Sequence, residues 1–198
     1  MRFLRVFTAR SRGYTAIEMI VVISIMVAIT SLVLVGFGTL NNTVALNRAS
    51  RELAVGLRRA QNMSLAVSRN PSFAGEVPPA YGVHLVLDGT GYTLFADRGS
   101  PRNKKYDSSD PFEMISYTVF ERNIRINRFL DVDGDQITPA GNTLHVIFSA
   151  PEADPVITDG DGNTDATGLY DKVDIILQSL SGEEKTITIR VSGQISIR

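Results

Sequence analysis

From Tyr14 to Leu40 the chain is a nearly unbroken apolar run, and apart from the tyrosine that opens it the only ionisable side chain inside is Glu18. Read as a helix, Ile17, Met19 to Ile23, Ile25 to Ile29 and Leu32 to Val35 satisfy the roughly 20 residues needed to cross a hydrocarbon layer. Ser24, Thr30 and Ser31 are compatible with that reading, because a hydroxyl can bond back to a carbonyl of the preceding turn. Arg2, Arg5, Arg10 and Arg12 precede the run with no acidic residue among them. Such an arginine excess keeps the N-terminus cytoplasmic and sends the polar remainder outward.

Two ordinary readings compete. A secretory signal peptide also joins a basic start to an apolar stretch, but its apolar region spans roughly 7 to 15 residues and ends at a small-residue cleavage site. An uncleaved signal anchor accounts for the length equally well. Glu18 separates these readings from a more specialised one, because a carboxylate inside a membrane helix costs roughly 2.5 to 3.5 kcal/mol on insertion scales unless it is paired or neutralised. Left alone near the interface, it would snorkel to the headgroups. Gly13, by itself, is a flexible residue before a helix.

The junction Ser11-Arg12-Gly13-Tyr14-Thr15-Ala16-Ile17-Glu18-Met19-Ile20 joins these features in one order. It resembles the class III signal of type IV pilins and type II secretion pseudopilins, in which a membrane prepilin peptidase cuts after the glycine and methylates the new N-terminus. The resemblance implies cleavage after Gly13 and a mature chain starting at Tyr14, where phenylalanine is usual, with Ala16 in place of the usual leucine. Cleavage would create an amine on Tyr14 one turn from Glu18, able to meet the Glu18 of a neighbouring helix. In the family that pairing sets register during assembly.

Beyond Leu40, Leu46, Leu53, Leu57, Ala60, Ser64 and Val67 recur at threes, fours and sevens, while Arg48, Arg51, Arg58, Arg59 and Asn62 fall largely elsewhere. The helix is therefore expected to continue to about Arg69, stopped by Asn70-Pro71 and by Gly75, Pro78 and Pro79. Gly36 and Gly38 weaken its middle by about 1 kcal/mol each relative to alanine. The arginines read as the solvated face of a helix packed on one side, not as a nucleic-acid patch.

From Tyr81 the period becomes two. Tyr81 to Leu87 and Tyr92 to Ala96 flank Asp88-Gly89-Thr90-Gly91 and predict a hairpin. Further strands are expected at Met114 to Phe120, Ile124 to Phe129, Thr143 to Ser149, Val173 to Ser179, Thr186 to Ser192 and Ile195 to Ile197, with Ile187, Ile189 and Val191 on one face. The expected fold class is α+β, a long N-terminal helix packed on an antiparallel β-sheet domain, the pilin fold. Its parts would be a leader at 1–13, a helix at 14–70 with the membrane and assembly part at 14–40, and a β-rich head at 71–198.

More loosely, the segment Glu52 to Gln61, the tyrosine-glycine hairpin and the strands from Ile187 to Arg198 resemble the H-type minor pseudopilins. Some relatives bind DNA through basic residues near the last glycine. Here Gly193 is followed by Gln194 and Ser196 with only Arg198 basic, which speaks against nucleic acid.

Asp131-Val132-Asp133-Gly134-Asp135 and Asp159-Gly160-Asp161-Gly162-Asn163-Thr164-Asp165 alternate oxygen ligands with small residues. Such a pattern can wrap calcium, which takes six to eight oxygens. Neither is an EF-hand, since Thr164 holds the position of the turn glycine and Tyr170 that of the bidentate glutamate. The competing reading is a polar turn in which aspartate bonds its own backbone. Pseudopilins resembling this chain can use calcium to order loops, so Asp131, Asp133, Asp135, Asp159, Asp161, Asn163 and Asp165 stand as candidate ligands.

Catalysis finds little support. There is no cysteine, the two histidines, His84 and His145, are expected as separate surface residues of strands, and no nucleophile elbow or phosphate loop is present. A net charge of -1 points to no polyanion. The resemblance implies a structural subunit, a minor pseudopilin or pilin. Its partners would be other pilin or pseudopilin subunits, the prepilin peptidase, an inner-membrane assembly platform and membrane lipid. The runner-up is a signal-anchored extracytoplasmic calcium-binding adhesin or receptor domain that does not polymerise. A third reading is an anchored hydrolase whose pocket gathers His84 or His145 with acidic and hydroxyl groups.

Overall fold

The computed structural model describes residues 13–66, 80–98, 103–150, 152–164 and 171–198, and of residues 35–39 the backbone alone. The protein is α+β, with one long helix and antiparallel sheets. It divides into two compact units, Met1–Leu40 and Asn41–Arg198, and the helix α1 (Ala16–Leu65) contributes to both.

In the first unit, Ala16–Leu34 has a mean hydropathy of 2.6, and none of it is buried within the chain. At 1.5 Å per residue these 19 residues extend about 29 Å, close to the thickness of a hydrocarbon core. The hydroxyls behave as the sequence suggests: Ser24 Oγ donates to the Ile20 carbonyl and Thr30 Oγ1 to the Met26 carbonyl, each at 2.8 Å.

In the second unit, the remaining turns of α1 bury Leu46, Leu53, Leu57, Ala60 and Ser64, the stripe that the spacing defines. The helix ends at Leu65, and Ala66 completes its last turn by donating to the Asn62 carbonyl. Val67, the expected end at Arg69, the stop at Asn70-Pro71 and the boundary at 70–71 lie outside the described residues.

The strands are β1 (Ala80–Val86), β2 (Gly91–Asp97), β3 (Met114–Val119), β4 (Arg125–Leu130), β5 (Gln136–Ile137), β6 (Thr143–Ser149), β7 (Pro155–Asp159), β8 (Lys172–Gln178), β9 (Glu184–Arg190) and β10 (Ile195–Ile197). They form two five-stranded sheets where one was expected, in the orders β3-β2-β1-β6-β7 and β10-β9-β8-β4-β5. The chain changes sheet three times, after β3, β5 and β7, first at the tight turn where Arg122 and Asn123 both take positive φ (54° and 52°) between the buried anchors Phe120 and Ile124. Alternation reveals which face of a strand is buried but not which strand lies beside it, so this switch is invisible to periodicity. The sequence also misses β5, only two residues long, and β7, which opens on a proline and runs along a sheet edge where a missing N–H is tolerated.

Inward residues of both sheets and the buried stripe of α1 form one core that includes Tyr81, Val83, Leu85, Ile126, Phe129, Val173, Ile175, Ile187 and Ile189. The sheets are also joined through backbone: Asp88 N–H donates to the Ile126 carbonyl (2.8 Å), and Ile126 N–H to the Gly89 carbonyl (3.0 Å). Helix and first sheet meet closely where Tyr92 lies against Gly56. A Cβ on Gly56 would sit 2.6 Å from the tyrosine ring, and the Tyr92 hydroxyl donates to the Glu52 carbonyl at 3.2 Å. Glycine is what allows an aromatic ring to lie directly on the helix backbone here.

Candidate functional site

The first candidate is the start of α1. Gly13 and Tyr14 precede the helix and are exposed, Tyr14 to 79 %. Thr15 stands at the N-cap position, its Oγ1 accepting the backbone N–H of Glu18 at 3.3 Å, while its carbonyl accepts that of Met19 at 3.2 Å. Thr15-Ala16-Ile17-Glu18 is thus the sequence form of a capping box, with Glu18 at the third helical position. A carboxylate there also meets the positive end of the helix dipole. This local role for Glu18 was legible in the Ser/Thr-x-x-Glu spacing and was missed. It does not remove the cost of placing the charge in an apolar environment, because the cap engages the backbone N–H of Glu18 and leaves its side chain exposed.

The acidic loops share one construction. In the first, Asp131 Oδ1 accepts the backbone N–H groups of Asp133 and Asp135, both at 2.9 Å, and Asp131 N–H donates to the Asp135 carbonyl. In the second, Asp159 Oδ1 accepts those of Asp161 (3.0 Å) and Asn163 (2.9 Å), and Asp159 N–H donates to the Asn163 carbonyl. Gly134 and Gly162 supply the positive φ (89° and 81°) that closes each turn. The first aspartate therefore spends one oxygen on the backbone, as the polar-turn reading requires. Among the described residues no three acidic, histidine or cysteine side chains converge as metal ligands. Asp165 lies outside the described residues.

The structure brings together two residues expected to be separate. His84 on β1 and His145 on β6 are direct cross-strand partners, and their Nδ1 atoms are 3.3 Å apart. His145 is only 1 % exposed, which corrects the expectation of a surface strand residue. Both project from the sheet face opposite the main core, beside a small cluster of Ala80, Phe95 and Ile147 covered by Tyr106. Tyr106 also donates its backbone N–H to His145 Nδ1 at 3.2 Å. A nitrogen accepting from that N–H carries no proton of its own, so His84 is the donor in the imidazole pair. Burial pushes His84 down to about 4; burial, then the charges of His84 and Lys105, push His145 down to about 3.

Nearby polar groups are engaged with backbone. Thr158, opposite His145 on β7, donates its hydroxyl to the Lys104 carbonyl at 2.6 Å. Buried Glu113 accepts the N–H groups of Arg98 (3.3 Å) and Asp107 (2.7 Å), and burial raises its pKa. The arrangement holds the 103–113 segment onto the sheet. Among the described residues no hydroxyl or carboxylate is hydrogen-bonded to either imidazole in the way a nucleophile-base pair needs. Comparison with protein-family models, with curated proteins and with solved structures returned no match.

Proposed function

We propose that the chain is a structural subunit, a minor pseudopilin or pilin, of a type II secretion pseudopilus or a type IV pilus. It is processed after Gly13 by a prepilin peptidase and assembled through α1. The observation that carries this reading is a helix whose Ala16–Leu34 half is unburied among the described residues and whose one charge, Glu18, stands in its first turn, five residues after Gly13 and four after Tyr14. Such a surface is stable only in lipid or against like helices. In the second setting the amine of a trimmed Tyr14 can neutralise the carboxylate of a neighbour. The head then stands outside the membrane and presents its surface to other subunits, and the acidic loops are the places where calcium would act if it orders the head.

The place of Glu18 in the first turn favours a second reading, a signal-anchored head that never polymerises, because the positive end of the helix dipole stabilises the carboxylate there without any neighbour. Mass spectrometry of the mature chain separates the two. A methylated Tyr14 as first residue is expected, and an intact Met1 would exclude the proposal. Glu18→Gln keeps the backbone N–H that the cap engages and removes only the charge, so it is expected to lower incorporation into filaments by about tenfold or more. Unchanged incorporation would leave the anchor reading standing.

A further inference from the structure

Two surfaces of the head complement each other in charge, and among the described residues no ion pair joins them. On the solvent side of α1, Arg51, Val55, Arg58 and Asn62 follow one another at intervals of four, three and four, and so share one face, with Arg59 beside them. Val55, 64 % exposed, is an apolar spot between guanidinium groups. Among the described residues Arg51 and Arg58 make no ion pair, whereas Arg48 is taken by Glu121 at 2.6 Å. The carboxylate closest in sequence is that of Glu52, which is half-buried.

The Asp131–Asp135 turn has the inverse pattern. Val132 is 47 % exposed and flanked by Asp131 and Asp133, with exposed Asp135 following. Among the described residues the side chains of Asp133 and Asp135 are in no ion pair. Nothing lies within 4 Å of where a Cβ on Gly134 would be, so the turn projects freely. The sister turn is unsuited to the same role: a Cβ on Gly162 would meet the Asn103 carbonyl oxygen, so that turn is already packed against its own chain.

We infer that the arginine face of α1 in one copy docks the Asp131–Asp135 turn of a second copy, Val132 against Val55, with Arg51 and Arg58 facing Asp133 and Asp135. An apolar contact ringed by opposite charges fixes both position and orientation, since a mismatched register sets like charges together. The two surfaces differ, so the contact is heterologous and propagates from copy to copy instead of closing as a twofold dimer. It rests on the assembly reading above in its pilin form, in which copies of this chain follow one another, and adds to it a contact between heads.

The test uses the full-length chain in its membrane. Because the chain has no cysteine, introduced thiols report proximity without background. Cells co-expressing Val55→Cys and Val132→Cys chains, treated with a short bifunctional maleimide, are expected to yield a cross-linked dimer that neither variant gives alone. Adding Arg58→Glu to the first chain should lower the yield at least about fivefold, and Asp133→Arg in the second should restore it. Absence of the mixed dimer, an equal yield from Val55→Cys alone, or indifference to the charge swap would overturn the inference. So would protection of Val55→Cys from an impermeant thiol reagent that survives Asp133→Ala, since a lipid surface or another protein would then be the occupant. A Val27→Cys chain, cross-linking through the apolar half of α1, reports assembly separately. Its success beside failure of the mixed pair rejects the head contact alone, and the reverse result rejects only helix-driven assembly.

Discussion

His84 and His145 face each other across adjacent strands with Nδ1 atoms 3.3 Å apart, and the second of them also accepts the backbone N–H of Tyr106. A proton added to His145 Nδ1 would meet two donors in a buried site. Both imidazoles are therefore neutral in the folded protein, with pKa values of about 4 and about 3 against 6.5 when unfolded. Between those limits the unfolded chain binds more protons, so stability is complete above pH 6.5 and falls as pH drops. The slope is bounded by the two-proton limit, about 3 kcal/mol per pH unit. Glu113, whose pKa is raised, acts in the opposite direction at lower pH. Denaturant midpoints of the full chain in detergent from pH 7.5 to 5 check this, and a His84→Gln, His145→Gln double variant is expected to flatten the curve.

Gly56→Ala forces a methyl group into the Tyr92 ring, 2.6 Å away, while improving helix propensity by about 1 kcal/mol. Overpacking of this kind costs about 1 to 3 kcal/mol, so a net loss of about 1 kcal/mol is expected. Tyr92→Ala in the same chain should make the alanine favourable instead. Thermal unfolding of the four chains of this cycle reads the sign change.

Within the first acidic turn the aspartates are unequal. Asp131 accepts two backbone N–H groups and Asp133 offers its side chain to none. Asp131→Ala is expected to cost about 1 to 2 kcal/mol and Asp133→Ala less than about 0.5 kcal/mol in the presence of a chelator. Asp131→Asn, which keeps an acceptor oxygen, should recover most of the loss. Repeating the comparison with calcium checks the ion directly, because a bound ion would make Asp133 costly to remove.

Arg128 on β4 and Glu184 on β9 join across the intervening β8 through two parallel bonds, Nη1 to Oε1 at 2.7 Å and Nη2 to Oε2 at 2.6 Å. The Arg128 hydrogen bond holds the Glu184 carboxyl below its ordinary range. A lowered folded pKa means stabilisation that is present above the unfolded value of 4.5 and lost as pH falls below it. With both side chains about one-third exposed, the pair is screened, and Glu184→Gln is expected to cost about 0.5 to 1 kcal/mol at pH 7. The difference from the parent should shrink as pH falls below 4.5, which unfolding curves across that range would show.

Much of this architecture was legible before any coordinates. The apolar run and the intervals of seven and four between Leu46, Leu53 and Leu57 place α1 and its buried stripe, because a helix presents its contact face at a fixed period. Strand positions from Thr143 and Ile195 match to the residue, because β-branched and aromatic residues alternate there between turn formers. The Glu18 cap was legible too, in a four-residue spacing. Pairing was not. His84 and His145 are separated by 61 positions, and nothing local records that β1 and β6 are neighbours.

The sequence by itself determined much of the local structure: that one long helix carries the apolar run, although it begins at Ala16 and not at Tyr14, and which face of its second half is buried. Those outcomes follow from local periodicity and from the cost of exposing or burying particular groups. Tertiary structure alone decided that the strands divide between two sheets, with the chain crossing from one to the other after β3, β5 and β7, that two distant imidazoles are hydrogen-bonded partners, and that the turn at Asp131 projects while its twin at Asp159 is packed. Each of these depends on which surfaces meet after the chain has folded, and long-range pairing is chosen by the sum of many contacts rather than by any short stretch of residues.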